Sequence, residues 1–96
     1  MTSNIEKTLK SIDAALAELD FEIGKAATEK LAPVHILERF RENLIKMKSD
    51  VESEILPPKI ERKKSMSRVI VDSWPLESKL GEIIVKAETL YYSLDA

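Results

Sequence analysis

A chain of 96 residues has room for one domain and one hydrophobic core, and leaves no second independent unit to be expected. At 44% hydrophobic and 33% charged it falls in the globular class, away from disordered or fibrous compositions. The absence of cysteine excludes disulfides, thiolate nucleophiles and sulfur-ligated metals, and a net charge of −2 disfavours a protein that coats nucleic acid.

The N-terminal stretch Met-Thr-Ser-Asn-Ile-Glu-Lys has no basic segment leading into an apolar run, and no 18-residue apolar span occurs further on. Neither a signal peptide nor a membrane helix is expected, and a cytoplasmic location follows as the default. From Ile5 the apolar residues fall at Ile5, Leu9, Ile12, Leu16, Leu19, Ile23 and Ala26, in alternating steps of four and three. That rhythm lines one face of an α-helix, whereas a strand would need strict alternation. Ser3 or Asn4 can cap the start, with Glu6 completing a capping box from Ser3, and Pro33 ends the helix after about Lys30. The first predicted helix therefore covers about 4–30.

Pro33 suits the first turn of a second helix, in which Leu37, Phe40, Leu44, Met47 and Val51 keep the same rhythm. Leu56-Pro57-Pro58 stops it, because neither proline donates a backbone hydrogen bond and the first disfavours a helical Leu56. The predicted span is about 33–55, and the short link to the first helix implies an antiparallel hairpin.

A basic loop over about 57–65 follows. Residues 57–71 carry five basic groups and one acidic, while residues 1–32 carry four and six, 33–56 four and five, and 72–96 two and five. The island consists of Lys59, Arg62, Lys63, Lys64 and Arg68, which reads as a solvated connection or as an anion-binding surface. Over about 66–73, Val69-Ile70-Val71 is β-branched, yet a lone strand would find no partner, so the segment reads as a short helix or an extended cover. The last stripe is Leu76, Leu80, Ile83, Ala87, Leu90 and Leu94, with Ser73 as its cap and Pro75 in its first turn, giving a helix over about 75–94. Together these elements predict a single all-α domain over 1–96, an up-down-up three-helix bundle with a short extra segment before the last helix.

Catalytic chemistry is sparse. His35 is the one histidine, and with Glu38, Arg39 and Glu42 around it the convergent ligands of a metal site are not assembled. No serine or threonine has an assignable base, and Gly24 and Gly81 lie within helical patterns rather than in a phosphate-cradling loop. Each glycine costs about 1 kcal/mol in a helix relative to alanine, so close packing or an approaching backbone is expected there. Neither an enzyme nor a cofactor is expected.

Apolar residues off the stripes are more informative. Phe21 is rotated roughly 200° from Leu19 and points outward. Val85 and Tyr92, seven residues apart, form a second line on the last helix, and Trp74 and Tyr91 add aromatic surface nearby. Cover by residues 60–74 within the chain is one destination for these groups, and association is the other, since exposed aromatic patches anchor interfaces. The acidic residues Asp13, Glu18, Asp20 and Glu22 on the first helix, and Glu77, Glu82 and Glu88 on the last, are expected to face solvent and to suit a basic protein. Phe21, Trp74, Val85, Tyr91 and Tyr92 are thus the expected partner-binding residues of a non-enzymatic bundle. Size and acidity are compatible with small bacterial immunity proteins and antitoxins that neutralise a basic partner, with a secretion chaperone or adaptor as an alternative role. A homodimer is an alternative occupant of the same surface, and a nucleic-acid regulator using the basic loop is the rival function.

Overall fold

Among the described residues of the computed structural model there are four helices: α1 (Asn4–Ile23), α2 (Val34–Ser53), α3 (Ser65–Ser73) and α4 (Lys79–Ser93). It describes residues 4–25, 28, 32–58, 65–75 and 78–94. The all-α bundle read from the stripes is what forms, with α1, α2 and α4 packed together and α3 against α4.

On α1 the buried face is Thr8, Ser11, Ile12, Ala15, Leu19 and Glu22, with Ile5, Leu9, Leu16 and Ile23 partly buried beside it. The face is wider than one stripe because α1 touches both α2 and α4. Thr8 can be fully buried since its hydroxyl donates to the Asn4 carbonyl at 2.7 Å. The helix ends at Ile23 rather than near Lys30. Gly24 adds no side chain to the stripe and carries a backbone-entropy cost, and the Lys25 N–H bonds the Glu22 carbonyl at 3.2 Å in a tightened last turn. The expected cap Ser3 and the stripe residue Ala26 lie outside the described residues.

The second stripe is realised as read: Leu37, Phe40, Leu44, Met47 and Val51 are the buried residues of α2. Pro33 is its N-cap, its carbonyl accepting from Ile36 and Leu37 at 3.0 and 3.2 Å. At the other end Glu54 adopts the left-handed conformation (φ 56°). The Glu54 and Ile55 N–H groups then return to the Val51 and Asp50 carbonyls, a Schellman closure with glutamate where glycine is usual.

Cross-helix pairs fix the directions. Asp13 meets Lys48 at 2.9 Å and Asp20 meets Arg41 at 2.8 Å, so α2 runs antiparallel to α1. Glu18 lies 3.9 Å from Lys79, whereas Tyr91 donates to an Asp50 carboxylate oxygen at 3.0 Å, which makes α4 antiparallel to α1 and parallel to α2. The short α3 supplies an extra reversal, so the chain runs up-down-up-down while the long helices α1, α2 and α4 run up, down and down. The segment that could have been extended is this helix: Met66, Ile70 and Trp74 fall on one face and are buried. The last helix starts at Lys79 rather than near Pro75, because the capping group is Ser78, whose Oγ accepts from the Gly81 N–H at 3.0 Å. Ser73, the expected cap, is instead the last residue of α3.

Candidate functional site

The α3–α4 hairpin is held by a carboxylate. Glu88 on α4 is buried and accepts from the Ser67 hydroxyl at 2.6 Å, the Ser67 N–H at 2.7 Å and the Met66 N–H at 3.2 Å. It caps α3 from another helix, placing negative charge at the positive end of the α3 dipole. Glu88 is thus a structural group rather than the solvent-facing acid expected from its spacing.

Further along the hairpin, α4 presents Gly81 to Ile70 of α3. A Cβ there would lie 2.9 Å from Ile70 Cγ2 and 3.3 Å from Ser78 Oγ, so the position is glycine for want of space. This close approach forms the floor of a groove of about 320 Å³ between α3 and α4. Ile70, Val71, Trp74, Pro75 and Val85 give it apolar walls, and Glu82 and Lys86 stand at its margin. Among the described residues no ion pair reaches Glu82 or Lys86. Val71 is 68% exposed, a large cost in apolar hydration for a core-forming residue type.

The expected anchors divide. Trp74 and Val85 both line the groove, but Trp74 is only 6% exposed and stacks obliquely on Phe40 of α2, ring centroids 5.6 Å apart. Tyr91 is buried, its hydroxyl on Asp50. These two rings are therefore core elements that show little surface, a correction to the anchor set that follows from their packing against α2, Trp74 on Phe40 and Tyr91 on Asp50. Tyr92 is 38% exposed, two turns beyond Val85 on α4. Phe21 is 69% exposed at the far end of α1, with the Lys25 ammonium 5.5 Å from its ring centre, and it is not part of the groove. Ile70, Val71 and Pro75 were not anticipated. The signal for Val71 was its position off the Met66–Ile70–Trp74 face, legible once the segment is taken as a helix.

The acidic face of α1 is largely spent within the chain. Asp13, Glu18 and Asp20 reach Lys48, Lys79 and Arg41, and Glu22 is buried with Lys25 at 3.0 Å. On α4 Glu82 is exposed, and Glu77 lies outside the described residues. Of the basic island, Lys59, Arg62, Lys63 and Lys64 also lie outside them, and Arg68 is exposed on α3. His35 is exposed, and among the described residues no three His, Asp or Glu side chains gather as metal ligands. No described helix is long and apolar enough to cross a membrane. Comparison with protein-family models and with curated proteins finds no match for the chain.

Proposed function

We propose that this protein is a non-enzymatic binding module that docks an apolar segment of another protein in the groove between α3 and α4. The observation that carries the reading is the groove itself, apolar on both walls and open to solvent at Val71 and Val85. Tyr92 extends the apolar line along α4, and Glu82 and Lys86, in no ion pair among the described residues, offer one charge of each sign to orient the segment. Neutralisation of the partner, as an immunity protein or antitoxin achieves it, and chaperone-like cover are two outcomes of such docking. The case for a basic partner is narrower than the acid content suggests, because the α1 carboxylates are engaged at home.

Capture from the source cells tests the reading when three baits are compared. The unsubstituted chain and the Phe21→Ala variant should retain the same protein, and a chain carrying Val71→Glu with Val85→Glu should lose it while keeping its helical circular dichroism. Retention by the groove variant would remove the groove from the function.

A further inference from the structure

A second recess, of about 590 Å³, lies on the other flank of α4, between that helix and α1. Its floor is apolar, made by Ala14, Ile83 and Leu90, and its rim carries Lys7, Lys10 and Lys86. With three lysines lining one depression, an anion placed there would be attracted by all of them. Among the described residues no ion pair reaches any of the three, in contrast to Lys25, Lys48 and Lys79, each of which meets a carboxylate.

Ser11 adds an independent observation. It lines the same recess, is only 8% exposed, and its hydroxyl makes no hydrogen bond with the described residues. A hydroxyl withdrawn from water in this way costs stability unless something supplies its partner, and the recess is where that partner would sit.

We propose that the α1–α4 recess binds a small amphiphilic anion, a carboxylate or phosphate head carried on an apolar body. Lys7, Lys10 and Lys86 hold the head, the Ser11 hydroxyl donates to one of its oxygens, and the body lies on Ala14, Ile83 and Leu90. A bare inorganic anion would leave that floor wet, and a neutral apolar molecule would leave the three charges uncompensated. The volume lies within the range of sites that take small organic ligands, about 300–1,000 Å³.

Amide NMR titration with decanoate and with monodecyl phosphate, each below its aggregation concentration, tests the proposal, with decanol and acetate as controls. Saturable shifts are expected over residues 7–14 and 83–90 for one or both anions, and the tighter of the two identifies the head group. The combined Lys7→Gln, Lys10→Gln and Lys86→Gln variant should weaken binding about tenfold or more, and the matching arginine variant should restore it. Ser11→Ala should weaken it severalfold. All three lysines are exposed, so the variants keep the fold. The absence of saturable shifts, equal affinity for decanol, or undiminished binding by the glutamine variant would each overturn the assignment. Lys86 lines both recesses, but Val71→Glu, outside this one, should leave anion binding intact, and Lys7→Gln with Lys10→Gln, outside the groove, should leave protein docking intact, so the two readings fail separately.

Discussion

Two glycines that look alike along the chain differ in their surroundings. Among the described residues a Cβ on Gly24 would meet only backbone oxygens at 3.5 and 3.7 Å, ordinary contact, whereas one on Gly81 would press on the stiff γ-branch of Ile70 at 2.9 Å. Gly24→Ala should therefore stabilise the protein by about 0.4–1 kcal/mol by restricting the unfolded chain. Gly81→Ala gains a similar helical preference but overpacks the hairpin, for a net loss of about 1–2 kcal/mol. Urea unfolding of the two variants reads opposite signs if close packing is the reason for Gly81. Glu54 makes the reverse case: its left-handed backbone costs a side-chain-bearing residue about 1 kcal/mol or more, so Glu54→Gly should raise the urea midpoint without changing the slope.

Lys48 provides the pH signature at this scale. Its hydrogen bond to Asp13 and the Coulomb field of the same carboxylate raise its pKa above the ordinary 10.5, against an opposing effect of burial and with a lesser contribution from Glu52. A group whose folded pKa is raised contributes stability that is complete below 10.5 and fades as the pH climbs through the raised value. Thermal melts should therefore fall more steeply with pH above that point in the unsubstituted chain than in Lys48→Met. Parallel pH dependence in the two would remove Asp13–Lys48 from the forces joining α1 to α2.

Among the elements, α3 depends most on a single group. Nine residues are marginal as an isolated helix, and this one is fixed by Met66, Ile70 and the Glu88 cap. Glu88→Ala removes the acceptor of three hydrogen bonds at the start of α3 and should cost about 2–3 kcal/mol. Amide exchange should accelerate over residues 66–73 while protection in α1 and α2 is kept; uniform loss across the molecule would mean that α3 is no separate unit of stability. Legibility from the sequence follows the same division. The α2 stripe could be read without error because its apolar period and its bounding prolines agree. The C-terminal end of α1 and the start of α4 could not, since Gly24 acts through its backbone-entropy cost and Ser78 through capping, and both leave the apolar rhythm unbroken. The structural roles of Glu22 and Glu88 were hidden for another reason: periodicity assigns a carboxylate to solvent, and only tertiary contact reveals that it is buried.

In the whole molecule, α4 lies between α3 on one flank and α1 on the other, with a recess on each side. One is apolar with a charge of each sign at its margin, and the other is ringed by lysines over an apolar floor. A chain of net charge −2 thus presents a local basic surface while most of the acids on α1 are paired internally. Val85 and Val71 were reachable only in part from sequence: the first lies on a visible secondary line of α4, and the second needed the pairing of α3 with α4, which no local pattern encodes. A groove that docks a different protein, as proposed, leaves the chain monomeric rather than closed against a second copy of itself. Light scattering across a wide concentration range tests it most directly. A constant mass near 10.9 kDa is the predicted result; a stable dimer that Val71→Glu with Val85→Glu dissociates would contradict it and assign the groove to self-association.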